Sequence, residues 1–238
     1  MIKMLKPALL GALIIVSFAT LTHAKKGLFG SSTKQHEAVK ESKDQNAPTS
    51  VNDPANNQLP EDIIFGSPDA PLDVIVYGAF TCSHCAQFHL DIIPILQKEY
   101  VHSGKIRLIT RDFPMDKASL AATVIARSGN RETYLRLAHT FFEKHESIID
   151  HKNPLDYIKQ IAVDAGMSRA QVDRALANKA LEDKVLNGVV YALNHYKIEA
   201  TPTVIVGKTT INYAPELDEL KETIENEIKN IHKSPISR

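Results

Sequence analysis

The sequence predicts an α/β fold with an inserted helical subdomain, and three observations support that prediction. A strand, a helix and a second strand follow one another between residues 72 and 110. Strand patterns then disappear between Met115 and Lys197, where helical periodicity accumulates. A hairpin and an amphipathic helix follow that helical region. Strands joined through a helical crossover lie parallel in one sheet. The helical region between the second strand and the hairpin is therefore predicted to be an insert in an α/β framework.

The first 24 residues have the pattern of a secretory signal peptide. Lys3 and Lys6 precede an uncharged apolar stretch, Ala8 to Leu21, and the small residue Ala24 ends the segment. The apolar stretch is shorter than the roughly 20 residues that a membrane-spanning helix needs, so a retained anchor is the weaker alternative. We therefore expect export of the chain.

Residues 25–60 predict a flexible linker, because few large apolar side chains are available there to offset the entropy of ordering. A disordered start of the mature protein is favoured over a spacer that holds the domain off a membrane. Residues 61–238 are predicted to form one domain. Without the signal segment the chain carries 26 basic and 28 acidic side chains, a net charge of −2. This balance argues against a nucleic-acid partner.

The first ordered elements are predicted from apolar runs and turn residues. Order begins near Ile63, and the run Leu72–Tyr77 is typical of a buried strand. Apolar residues then recur at helical spacing up to Tyr100, with a kink expected at Pro94, which lacks a backbone donor. After this helix ends at Gly104, residues 106–110 predict the second strand, parallel to the first.

The helical insert is predicted over about residues 115–197. Asn153 followed by Pro154 marks one helix start, and Ser168 with Gln171 forms a capping box at another. Beyond the insert, a hairpin is predicted around Gly207, which suits the first loop position of a type II′ turn. The last helix carries an apolar stripe for packing on the sheet, formed by Leu217, Leu220, Ile224, Ile228 and Ile231.

Both cysteines of the chain, Cys82 and Cys85, lie in the stretch FTCSHCAQF directly after the first predicted strand. The helix N-terminus there favours a thiolate at Cys82, while Cys85 faces inward one turn later. Ser83 and His84 lie between them, and the His84 imidazole is expected to stabilise the Cys82 thiolate further. A stabilised thiolate makes the corresponding disulfide an oxidant, so this pair is expected to donate its disulfide to a substrate dithiol.

Three alternatives compete with a redox pair. A zinc site needs two further ligands, and no second cysteine pair is present to supply them. A structural disulfide that closes so short a loop restricts the unfolded chain very little. Two free buried thiols fit poorly with export into an oxidising compartment. Since no phosphate loop or dinucleotide fingerprint occurs either, we predict neither a metal nor another cofactor.

The other titratable residues are assigned structural or surface roles. His89, one turn beyond Cys85, is predicted to face solvent, and a position facing the active site is the weaker alternative. The pair Arg111-Asp112 is predicted to be a solvated strand end. Surface or capping roles are predicted for His139, His145, His151 and His195.

Taken together, these residues resemble the DsbA-like thiol-disulfide oxidoreductases of the thioredoxin superfamily. The resemblance runs from about Ile63 to Ile231 and rests on FGSPDAPLDVIVYGAFTCSHC, the helix after it, RDFP, the helical insert and ATPT. It implies a thioredoxin-like fold with an inserted helical subdomain.

The resemblance also implies roles for the residues of ATPT. Pro202 would be a cis proline beside the cysteines, and the backbone of Thr201 would bind an extended substrate segment while its side chain tunes the pair. Better-studied members of this group carry a buried glutamate in the strand before the cysteines, and the corresponding positions here are apolar residues such as Val76.

The functional hypothesis is a periplasmic, monomeric dithiol oxidase. Its substrates would be unfolded or reduced exported proteins, and a membrane partner of DsbB type would reoxidise it. One alternative is a disulfide isomerase or reductase, although residues 25–60 are too short and polar for a dimerisation domain. The other is a chaperone-like binding module whose disulfide is not catalytic.

Overall fold

A computed structural model describes residues 62–233 of the 238-residue chain. The predicted signal segment and linker lie outside the described residues. In the described part, helices cover both faces of one mixed sheet. None of the helices between residues 62 and 233 has the length and apolar character required to cross a membrane.

The sheet has five strands in the order β1-β3-β2-β4-β5. The predicted parallel pairing of β2 with β3 is confirmed, with Val76 opposite Thr110. Strand β1 adds antiparallel to β3, and β4 adds antiparallel to β2 on its other side. The strands are β1 (Ile63–Phe65), β2 (Leu72–Gly78), β3 (Ile106–Asp112), β4 (Thr203–Val206) and β5 (Thr209–Ile211).

The helix that follows the cysteines runs over residues 83–101, and we call it the CxxC helix. It alternates α1 (Ser83–Gln87), a π-helical turn (Phe88–Ile92), α2 (Ile93–Leu96) and a second π-helical turn (Gln97–Val101). The helix was expected to kink at Pro94, and the structure places a π-helical turn immediately before Ile93-Pro94. Pro94 has no N–H for the i→i−4 bond, and a π-helical turn redistributes the hydrogen bonds of that region. Gly104 follows with φ +72°, which favours glycine.

Six helices occupy the predicted insert, between β3 and β4. Their capping matches the sequence prediction: the Asn153 side chain accepts from the N–H of Asp156, and Ser168 and Gln171 form the reciprocal capping box. The helices are α3 (Lys117–Arg127), α4 (Arg131–Glu143), α5 (His145–Ile149), α6 (Pro154–Asp164), α7 (Arg169–Leu176) and α8 (Lys179–Tyr196).

The hairpin and the final helix also form as predicted. Gly207 has φ +57°, and the only non-glycine residue with positive φ between residues 62 and 233 is Lys197. Of the two loop residues, Gly207 and Lys208, only Gly207 has a positive φ, as a type II′ turn requires. In α9 (Leu217–Lys233), Leu220 and Ile224 are buried against the sheet, whereas Ile231 at the end of the stripe is exposed.

The two faces of the sheet pack against different helices. Alternate residues such as Val74 and Leu108 lie in one core with the CxxC helix and α9, while Ile75 and Ile109 lie in another with α8. The insert forms a third core, and this core includes Cys85 and Phe80. The second cysteine therefore lies where the sheet, the CxxC helix and the insert meet.

The prediction of a solvated strand end at Arg111-Asp112 is wrong. Arg111 is 4% exposed and makes two bonds to Asp62, Nε to Oδ1 at 2.6 Å and Nη2 to Oδ2 at 2.8 Å. Asp112 accepts from Arg127 and from the hydroxyl of Tyr134. The pairing of β1 along β3 and the packing of the insert cover this end of the strand, and neither contact is local in sequence.

Candidate active site

Cys82 lies at the N-cap of the CxxC helix, as predicted. Its backbone is extended, and its sulfur accepts a hydrogen bond from the N–H of Cys85 at 3.3 Å. When protonated, Cys82 donates to the carbonyl of Thr201, also at 3.3 Å. Both cysteines are reduced, with Cys82 partly exposed and Cys85 only 3% exposed. The two sulfurs therefore differ in accessibility in the predicted sense.

The turn before Cys82 is anchored to the insert by residues that the sequence analysis did not select. The Thr81 hydroxyl donates to Asp116, and the N–H of Phe80 donates to the Ser119 hydroxyl at 3.2 Å. Asp116 is also the N-cap of α3, where it accepts from the N–H of Ser119 at 2.8 Å. An aspartate directly before an apolar helical pattern was the available sequence signal.

The Thr201-Pro202 peptide bond is cis, and it lies beside the cysteines. The Thr201 hydroxyl donates to the sulfur of Met115 at 3.2 Å. Met115, which sequence reasoning also missed, is 61% exposed and contacts Thr201, whose carbonyl accepts from Cys82. The segment after β3 and the segment before β4 therefore flank Cys82 together.

Several hydrogen bonds lower the pKa of the Cys82 thiol to about 5. The thiol of Cys85 is the largest cause, since it can donate to a Cys82 thiolate. The backbone N–H groups of Cys85 and His84 lower the pKa further, as does the Thr201 hydroxyl when its proton turns from Met115 to Cys82, and partial burial opposes them. At neutral pH Cys82 is therefore mainly a thiolate.

The pKa of Cys85 moves in the opposite direction. Burial raises it strongly, and donation of its S–H to Cys82 and the negative charge of that neighbour raise it further. Two thiols three residues apart thus hold one proton between them, and the proton belongs to the buried sulfur.

His84 contributes to the pKa of Cys82 through its backbone, and an added contribution of its imidazole stays a prediction. The backbone N–H of His84 lowers that pKa, and it is not the leading cause. The side chains of Ser83 and His84 are both exposed. Within residues 62–233, neither the Ser83 hydroxyl nor the His84 imidazole hydrogen-bonds to Cys82. An influence of Ser83 on the pair stays a prediction.

A cavity of about 320 Å³ lies behind Cys85. Its wall contains Gly78, where an added Cβ would approach the Cys85 sulfur at 3.5 Å, and the apolar Val76. His89 lines it too, so the prediction that His89 faces solvent is wrong. The ring is half-buried, 4.6 Å between centroids from Phe142 of the insert. Sequence spacing placed His89 on the correct turn but gave no sign that α4 covers it.

A second hollow of about 580 Å³ lies between the start of the CxxC helix and the segment before β4. His84 and Thr201 line it together with Tyr213, whose side chain is 53% exposed. Across residues 62–233, no three His, Cys, Asp or Glu side chains come together in an arrangement that could hold a metal ion.

The fold and the dithiol at a helix N-terminus beside a cis proline define a thioredoxin-like protein. A family model described as Thioredoxin matches residues 58–226. The solved structure of α-DsbA1 from Wolbachia pipientis is 25% identical, with a TM-score of 0.66 over 74% of this chain and 94% of that chain. The chain therefore belongs to the thioredoxin superfamily, in its DsbA-like group.

Two curated relatives carry names that refer to disulfide chemistry. Disulfide bond formation protein D of Bacillus subtilis is 26% identical over 70% of this chain and 77% of its own length. A putative protein-disulfide oxidoreductase of Rickettsia bellii is 26% identical over 64% of this chain. The match spans only 60% of the length of that Rickettsia protein.

Proposed function

We propose that this protein is an exported dithiol oxidase that donates its Cys82–Cys85 disulfide to other exported proteins. The observation that carries the proposal is the unequal pair: a thiolate at Cys82 and a buried, protonated Cys85. Stabilisation of the reduced pair makes its disulfide the better oxidant. The names of the relatives, which refer to disulfide formation and oxidoreduction, agree with this chemistry.

The proposed donation runs in two exchange steps. A substrate thiolate attacks the Cys82 sulfur, which forms a mixed disulfide and releases Cys85 as a thiolate that takes up a proton. The second substrate thiol loses its proton and attacks the substrate sulfur of the mixed disulfide, so that Cys82 leaves as a thiolate. The substrate gains a disulfide and loses two electrons, and the Cys82–Cys85 pair gains them. The low pKa of Cys82 makes it a good leaving group.

The proposed substrate-binding residues are Thr201 and Pro202, which adjoin Cys82. The carbonyl of Thr201 is 3.3 Å from the Cys82 sulfur, so a substrate segment bound along this backbone would bring its own sulfur into range. The hollow that His84, Thr201 and Tyr213 line gives such a segment room beside the helix end. Ser83 and His84 are proposed to tune the pair.

The cycle requires reoxidation, since each donation leaves both cysteines reduced. We propose a membrane partner of DsbB type for that step, a periplasmic location and a monomeric state. The partner would accept the two electrons by the same exchange at Cys82, the more exposed of the two sulfurs.

A disulfide isomerase or reductase would use the same residues but would be kept reduced, and a chaperone-like module would not need the cysteines. Thiol trapping in intact cells separates these functions. Mostly oxidised cysteines support a donor, whereas mostly reduced cysteines support an isomerase or reductase. Binding of unfolded chains that survives replacement of both cysteines supports the chaperone-like module.

The unequal roles of the cysteines are tested by single substitutions. In Cys85→Ser, mixed disulfides should accumulate after the Cys82 thiolate attacks a disulfide-bonded substrate protein, because no Cys85 thiol remains to attack Cys82 and release that protein. In Cys82→Ser, dithiol oxidation and trapped complexes should both be lost. Non-reducing gels followed by mass spectrometry measure both. Trapped complexes in Cys82→Ser, or full turnover in Cys85→Ser, would reverse the assignment.

A further inference from the structure

Cys85 must lose a proton each time the pair closes to its disulfide, yet its surroundings oppose that loss. The side chain is 3% exposed, and burial raises its pKa. The strand beneath it offers Val76 and Gly78, neither of which carries a proton acceptor. A path for the proton therefore has to lie in the other walls of the cavity.

The cavity behind Cys85 supplies one group suited to accept that proton. His89 follows Cys85 by four residues, about one turn later in the CxxC helix. Both line the 320 Å³ cavity, which has room for water molecules between them. Burial and the charge of His139 lower the pKa of His89 to about 4, so its imidazole is a neutral base above that pH.

The other titratable groups that face the cavity are already engaged. Arg111 is paired with Asp62, and both carboxylate oxygens of Asp112 accept hydrogen bonds, from Arg127 and Tyr134. Burial raises the pKa of Tyr134. Besides Cys85 and His89, the titratable side chains that line the cavity are Arg111 and Asp112 on β3 and Tyr134 and His139 on α4.

Exposure increases stepwise from Cys85 towards solvent. Cys85 is buried, His89 is half-buried, and the side chain of His139 is 57% exposed. The rings of His89 and His139 are 6.0 Å apart between centroids. His139 in turn lies 3.4 Å from a carboxylate oxygen of Glu143, measured from its Nε2. Cys85, His89 and His139 thus line one cavity, and the last of them reaches the surface.

We propose that His89 accepts, through cavity water, the proton that Cys85 loses when it attacks Cys82 in a mixed disulfide, and releases it to solvent beside His139. The inference rests on the proposed function. In the step, a bond forms between the sulfurs of Cys82 and Cys85. The bond breaks between Cys82 and the sulfur of the partner, which is the molecule joined to Cys82 in the mixed disulfide. The partner leaves as a thiolate with the electron pair of the broken bond. The Cys85 proton passes to His89 and then to solvent, so that charge and electrons balance.

The resolution step can be isolated with oxidised glutathione as the probe. Reduced protein is mixed with it, quenched with acid at short times and analysed by mass spectrometry, which separates the glutathione adduct at Cys82 from the closed disulfide. The decay of the adduct gives the resolution rate, measured from pH 4 to 9. The wild type, His89→Gln and the control His102→Gln are compared, because His102 is exposed and does not line the cavity.

A neutral base with a pKa of about 4 gives the wild type a resolution rate that is flat above about pH 5 and falls in more acid solution. His89→Gln should resolve at least about tenfold more slowly at pH 7, and its rate should rise about tenfold per pH unit as hydroxide replaces the imidazole. A purely structural effect would lower the rate equally at every pH. His102→Gln should keep the wild-type profile.

Two results would overturn the proposal. One is a wild-type resolution rate that rises about tenfold per pH unit above pH 5. This result does not depend on whether any variant folds. The other is a flat profile in a folded His89→Gln protein. If instead the wild type never forms the Cys82–Cys85 disulfide from oxidised glutathione, the proposed function fails.

Discussion

At the scale of single residues, the site consists of a partly exposed sulfur at Cys82 and a buried sulfur at Cys85. Cys82 and Cys85 follow a strand pattern directly, and local helix chemistry alone assigns them different roles. Met115 and Thr201 are 86 positions apart in sequence, so no local pattern could place one against the other. The contact of His84 with Cys82 is made by a backbone N–H, which any residue except proline has, so the residue type at position 84 does not reveal it.

The hydroxyl of Thr201 gives a residue-scale prediction. Thr201→Val keeps the shape of the side chain but removes a donor to the Cys82 thiolate, so the pKa of Cys82 should rise from about 5 to about 6. Titration of thiolate absorbance measures it. His84→Ala is the matched comparison and should give a smaller rise, since it retains the backbone N–H. A larger shift in His84→Ala would contradict this order of causes.

At the scale of elements, apolar periodicity and capping residues predicted the positions of strands and helices. They did not predict which side chains of one element are buried by another. The Ser168 and Asn153 caps are local signals, and both formed. The burial of Arg111 depends on Asp62, 49 residues earlier, and on the pairing of β1 with β3. A charged pair at a strand end carries no sign of such a distant partner.

The ion pair between Arg111 and Asp62 gives an element-scale prediction. Arg111→Met should lower the free energy of unfolding by about 3 kcal/mol, because it leaves the buried carboxylate of Asp62 without its guanidinium. Adding Asp62→Asn should restore part of the loss. In the exposed pair of Lys105 with Glu225, Lys105→Met should lose less than about 1 kcal/mol. Denaturant melts compare the variants, and equal losses at the two sites would contradict the account.

At the scale of the whole molecule, an insert of six helices completes the surroundings of a dithiol that the sheet and the CxxC helix present. The thioredoxin-like frame places Cys82 at a helix end beside the cis Pro202, and the insert covers Cys85. The sequence predicted both parts from periodicity. It did not predict the cavity at their junction, because a cavity depends on how distant surfaces fit together.

Because the reduced dithiol is stabilised in the fold, the reduced protein should have a higher free energy of unfolding than the oxidised protein. The folded pKa of Cys82, about 5, lies below the unfolded value of about 8.5. This difference stabilises the reduced protein fully above pH 8.5, partly between the two values, and not below the folded pKa. With allowance for the partial exposure of Cys82, it contributes up to about 2 kcal/mol at pH 7. The raised pKa of Cys85 opposes it only above about pH 8.5, where the unfolded thiol ionises.

The most direct test is a pair of denaturant melts, of the reduced and the oxidised protein, repeated between pH 4 and 8. The disulfide carries no charge for the helix end to stabilise, and its short loop restricts the unfolded chain very little. We predict that the reduced form unfolds at the higher denaturant concentration at pH 7, and that the gap closes as the pH falls through about 5. A more stable oxidised form at pH 7 would contradict the account and identify the pair as a reductant or a structural disulfide.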